Sequence, residues 1–191
     1  MLTITDIKKE FRAAMNGVLS ARMREAGAPY KLVFGIELPR LMQLALEVKQ
    51  DAANDSDSNE QLRSLAQQLW HENIRESKLL ATMIMPIECF HSDIADIWVD
   101  ECCTDEVAQV ASMKLFAQME DAISTAFEWI ATPQTMRQLC GYLILARLIN
   151  NAQELNERSL NELRDQMESA LPGAPLALRK AILVVESKIS C

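Results

Sequence analysis

Apolar residues recur at one spacing along this chain. Leu41, Leu44, Ala45 and Val48 stand at i, i+3, i+4 and i+7, and Leu62, Leu65, Ala66 and Leu69 repeat the pattern. Near the end, Leu178, Ile182, Val185 and Ile189 run at i, i+4, i+7 and i+11. That spacing gathers side chains onto one face of an α-helix and scatters them over both faces of a strand. With only five Gly and six Pro in 191 residues, and with Leu, Ala, Met, Glu, Gln and Arg prominent, the chain lacks the turn chemistry of a β protein. An all-α fold is the expectation.

The breaks between stripes set the helix lengths. A first helix over 3–26 is expected to start at Thr3 or Thr5 and end at Gly27 and Pro29, and Pro39 suits the first turn of a second. The stretch DAANDSDSNE (51–60) holds four acids and no large apolar side chain, so it is expected to be a mobile loop. SKLLATMIM should form a helix ending before Pro86, followed by helices near 90–101, 105–119, 120–131, 134–150, 157–171 and 175–189. Helices this short and this numerous, paired at a spacing of about 40 residues, point to HEAT-type hairpins. Each hairpin buries its apolar face only by stacking on a neighbour. The chain is therefore expected to be a single repeat domain over 1–191, curved into an α-α superhelix that binds ligands on its concave face.

Charge and cysteine usage remove several function classes. The net charge of −8 is unevenly spread: residues 1–50 hold eight Lys/Arg against five Asp/Glu, whereas 51–113 hold three against thirteen. From Leu79 to Met113 there are seven acids and no Lys or Arg, and a polyanion binds through cations. No apolar run suggests a signal peptide or a membrane span, and the five irregularly spaced cysteines fit reduced thiols in the cytoplasm. Cys89, His91, Asp93, Cys102 and Cys103 cluster in sequence, but no C-x-x-C or H-x-x-x-H spacing marks a metal site. An acidic neighbourhood would raise a thiol pKa, which argues against a nucleophilic cysteine. There is no Gly-rich phosphate loop and no Ser/His/Asp order, and no cofactor is implied.

Two segments are more specific than periodicity. Phe34-Gly35-Ile36 runs into Leu38-Pro39-Arg40-Leu41, and Leu69-Trp70 is followed by Ile74-Arg75-Glu76 and Leu79-Leu80-Ala81. Together they resemble the AlkD-like DNA alkylation repair family, a HEAT-like repeat superfamily of DNA glycosylases, most closely over about the first 90 residues. The residues also make physical sense alone. Gly35 permits a turn that a Cβ would crowd, Trp70 serves as an apolar anchor, and Glu76 suits a helix N-terminus.

The resemblance implies a DNA partner, a cationic groove and excision of alkylated bases. The family's catalytic motif is Trp-Asp-x-x-Asp, whose carboxylate stabilises an oxocarbenium-like sugar or orients water. The motif should fall at 101-ECCTDEVAQVA-111, where Cys103 or Thr104 stands in place of the Trp and no second Asp follows. The nearest catalytic candidates are Asp105 and Glu106. The plainer reading makes Thr104 an N-cap, puts Asp105 and Glu106 in the first turn, and points Val107, Val110 and Ala111 at the core. Excision is therefore expected to be weak or absent. DNA-binding candidates are Arg137 and Arg147 on the 134–150 helix, with Lys114, and a solvated surface role is the other reading of Arg137. The alternative function is a non-catalytic HEAT-repeat scaffold that binds a protein.

Overall fold

The computed structural model describes residues 2–53, 57–152 and 155–189. The regular elements among its described residues are helices, and their β pairing is limited to one isolated parallel bridge between Leu32 and Ile74. Contacts gather into two compact units, Met1–Phe90 and His91–Cys191.

The first unit begins with α1 (Ile4–Ala13), started by a capping box in which Thr3 and Asp6 satisfy each other's backbone N–H, with Ile7 and Phe11 buried one turn apart. The single helix expected over 3–26 is two. The chain leaves α1 at Ala14, and Asn16 opens α2 (Gly17–Glu25) by accepting the Leu19 N–H at 3.0 Å. The Asn16 N–H turns away to the carbonyl of Phe34, so its backbone serves a distant loop rather than a continuous helix. Gly27, at φ 85°, closes α2 in the left-handed region.

Pro39 does lie in the first turn of α3 (Leu38–Ala52), whose stripe Leu41, Leu44, Ala45 and Val48 is buried. The loop expected at 51–60 is shorter than that. α3 continues through a buried Ala52 and α4 (Ser58–Trp70) begins at Ser58, while residues 54–56, at the centre of the expected mobility, lie outside the described residues. α5 (Arg75–Ile84) packs on α3 and α4 and is buried almost along its whole length. Trp70 is fully buried at the end of α4, with the Lys78 ammonium 4.2 Å from its ring centre.

The second unit contains α6 (Ser92–Asp100), α7 (Asp105–Lys114), α8 (Ala122–Ile130), α9 (Thr135–Asn150), α10 (Glu157–Ala170) and α11 (Leu176–Ile189). The helix expected over 105–119 stops at Lys114, and Phe116–Gln118 is a separate 3-10 turn. α9 is the hub, touching α6, α7, α8 and α11. It crosses α8 closely because Gly141 has no Cβ, which would stand 2.6 Å from a methyl of Ile130 and 2.8 Å from the Ala126 carbonyl. Leu178, Ala181, Ile182 and Val185 seat α11 against the core. No described helix is long and apolar enough to cross a membrane.

Candidate nucleic-acid interface

Within the first unit, one buried carboxylate organises the segment between α2 and α3. Glu76 accepts the backbone N–H groups of Phe34, Gly35 and Ile36 at 3.0, 2.9 and 3.2 Å. Its neighbour Arg75 bonds it at 2.8 Å and donates to the Ile36 carbonyl at 2.9 Å. Both side chains are buried, 4% and 0% exposed. The sequence suggested only a dipole-friendly acid at this helix start. A sharp turn in which three successive amides need an acceptor was the missing information, and the signal for it was Gly35, which sits at φ 72°.

This turn holds α2 against the unit by very little. Ser20 is the sole buried residue of α2, its hydroxyl donating to the Val33 carbonyl at 2.7 Å. Leu19, Ala21 and Met23 are half-buried, and Arg22 and Arg24 are exposed on the polar face of α2. Other cations of the unit are engaged: Lys8 with Glu72, Lys9 with Asp6 at 2.9 Å, and Arg40 with Glu47 at 3.0 Å and Glu10 at 3.4 Å. Among the described residues no carboxylate pairs with Arg12, Arg22, Arg24 or Lys31, all of them exposed. Met15 and Val18 lie exposed beside them. The positive excess of residues 1–50 is thus concentrated at the end of α1, on α2 and just after it.

In the second unit the three candidate cations differ. Lys114 ends α7 and Arg147 lies in the last turn of α9, both exposed. Arg137, in the first turns of α9, is enclosed by two acids of α6. Its Nε and Nη2 donate to the two oxygens of Asp100 at 2.6 and 2.8 Å, and its Nη1 donates to Asp96 at 2.7 Å. Nη2 also reaches the Asp96 carbonyl at 3.3 Å. The same Asp96 oxygen accepts the Trp129 indole N–H at 2.8 Å, and the buried Trp129 ring meets Phe116 edge-on at 5.2 Å. Arg137's hydrogen bonds hold the Asp100 carboxyl below the usual carboxylate range, and Asp100 in turn raises the pKa of the guanidinium. Sequence reasoning missed these partners because they lie 37 and 41 residues away.

The segment 101–111 forms a helix start. Thr104 accepts the Val107 N–H at 3.3 Å, Asp105 and Glu106 fill the first turn of α7, and Val107, Ala108 and Ala111 are buried. Val110 is only half-buried, with Ala108 in the core position expected for it. Asp105 is exposed and Glu106 half-buried. Neither borders a cleft of about 650 Å³ between α10 and α11 or one of about 630 Å³ beside the start of α1. Cys102 is buried and Cys103 exposed, and no group of three or more potential metal ligands forms among the described residues.

The sequence profile described as "DNA alkylation repair enzyme" matches residues 7–182. A solved structure superposes with a TM-score of 0.79 at 15% identity, over 99% of this chain and 76% of the other. That structure is described as belonging to a new family of proteins related to the HEAT-like repeat DNA glycosylases, with affinity for branched DNA structures. No curated protein matches the chain.

Proposed function

The chain belongs to the DNA alkylation repair enzyme family, and from that membership we propose that it is a DNA-binding member whose role does not rest on base excision. The observation that carries this reading is the pairing of a capped, solvent-facing helix start at 101–111 with a separate set of exposed, unpaired cations. Excision needs a carboxylate held in a dry, preorganised site. Asp105 stands in solvent, and neither it nor Glu106 lies next to a Trp in sequence. Binding to a polyanion needs only accessible cations, which Arg12, Arg22, Arg24 and Lys31 supply in the first unit and Lys114 and Arg147 in the second. The HEAT-like relative's affinity for branched DNA makes branched duplexes the first ligands to try. Free thiols at Cys89, Cys103 and Cys140 suit the reducing cytoplasm, where we place the protein.

The test is a titration of linear and branched DNA at two salt concentrations, beside release of methylated base from alkylated DNA. Affinity should fall steeply with salt, with a log–log slope of about −0.9 per phosphate contact, and Arg22→Gln with Arg24→Gln should make it shallower. Base release should be slight and little altered by Asp105→Asn or Glu106→Gln. A large loss of release in Asp105→Asn, with folding intact, would restore the glycosylase reading. No DNA binding at low salt would favour the alternative, a protein-binding scaffold, which the exposed Leu176, Leu183 and Val184 of α11 support.

A further inference from the structure

Arg137 has the chemistry of a phosphate ligand, but its donors are already taken. The side-on edge of a guanidinium, Nε with one Nη, presents two parallel N–H groups that match two oxygens of a phosphate or a carboxylate. In this chain Asp100 fills that edge with both oxygens, and Asp96 takes Nη1. The two acids are not equivalent. Asp96 is tied down from a second direction by the Trp129 indole, which is fixed in the core. Both carboxylate oxygens of Asp100 are held by Arg137, and its side chain is 55% exposed whereas that of Arg137 is 17% exposed. Of the two acids, Asp100 is thus the one that a competing anion reaches from solvent, while Asp96 stays tied to Trp129.

We propose that Arg137 is a closed phosphodiester-binding site in which Asp100 occupies the place of the phosphate. Asp96 holds the guanidinium in position through the exchange, and a DNA phosphate enters by displacing Asp100 from the Nε/Nη2 edge. The inference rests on the reading that this chain binds DNA. It adds that one of its arginines contributes only when the α6 acid yields, so binding through the unpaired cations precedes engagement of Arg137. Until then Asp100 both masks the guanidinium and repels an approaching backbone.

The experiment uses the full chain, with fluorescein-labelled duplex and four-way-junction DNA as probes, and the variants Asp100→Asn, Asp100→Ala, Arg137→Gln and Asp100→Ala/Arg137→Gln. Arg137→Gln alone should weaken DNA binding several-fold at low salt and make the log–log slope shallower, because the phosphate contact at Arg137 is lost. Removing the Asp100 charge should tighten binding about tenfold at low salt and steepen the log–log slope by about 0.9, one further phosphate contact. The double variant should lose both gains. A second readout, the Arg137 Nε–H resonance during titration with inorganic phosphate, should move in Asp100→Ala and stay still in the wild type. Gains that persist in the double variant, or no gain in either Asp100 variant together with an unmoved resonance, would overturn the proposal while DNA binding stands. A resonance that moves in Asp100→Ala when none of the proteins binds DNA would keep the site and refute the DNA reading.

Discussion

A Cβ added to Gly35 would stand 2.5 Å from the backbone nitrogen of Ser20. The same atom would lie 2.5 Å from the Asn16 carbonyl oxygen, and both obstacles are backbone that cannot swing aside. At φ 72° a side chain is disfavoured even without them. Gly35→Ala should therefore destabilise the chain by about 3 kcal/mol or more, from strain and overpacking together. A urea midpoint equal to that of the wild type would contradict this packing.

Neutralising Glu76 should be costly for another reason. Glu76→Gln keeps the shape but loses the charge that balances buried Arg75 and receives three amide protons. Leaving one partner of a buried pair uncompensated costs about 3–5 kcal/mol. The companion variant Arg75→Met/Glu76→Gln should recover part of that loss, although the Ile36 carbonyl then loses its donor. Thermal melts of both variants decide the matter, and a double variant less stable than Glu76→Gln alone would speak against the pair as the cause.

Tyr142 offers a substitution of opposite sign. Its hydroxyl is buried and meets no hydrogen-bonding partner among the described residues, and burial lifts its pKa from 10.0 to about 12. A hydroxyl that gives up water and gains no partner opposes folding, so Tyr142→Phe should stabilise by about 1 kcal/mol. For a chain of this length that is a rise in Tm of about 2–4 °C. A fall in Tm would mean that the hydroxyl is satisfied after all.

The start of α1 should respond to acid. Asp6 is held down to about 2 from its ordinary 3.8, first by the hydrogen bond from the Thr3 hydroxyl and then by that from Lys9. Because the folded value lies below the unfolded one, the contribution is complete above pH 3.8 and is lost as pH falls toward 2. Thr3→Ala should raise the Asp6 midpoint and let the first turn fray at higher pH. A carbon-detected titration of the Asp6 carboxyl, unchanged by Thr3→Ala, would refute the capping account.

Periodicity carried most of the fold. The stripes on α3, α4 and α11 were legible because each helix buries one face, and Pro39 marks the start of α3 as Gly27 marks the end of α2, by what their backbones permit. The break at Asn16 was not legible. Its cap competes with an apolar pattern that runs through it, and the deciding hydrogen bond runs from the Asn16 N–H to the Phe34 carbonyl, across a loop. Position 101–111 was read correctly as a cap because Thr104 and Val107 act over three residues. Arg137 was misjudged in its surroundings for the converse reason. The acid-rich run from Leu79 to Met113 has no cation of its own, and two of its acids are balanced by an arginine that arrives from the start of α9.

Because α2 is anchored through one small buried side chain, its outward positions are open to chemistry that the rest of the unit would not tolerate. Val18 is two-thirds exposed, and nothing lies within 4 Å of where a Cβ on Gly17 would point. A cysteine-linked dye at position 18 would sit one helical turn from Arg22 without disturbing the core. It would turn the least embedded helix of the first unit into a sensor, reporting arrival of a ligand in the same solution in which stability is measured.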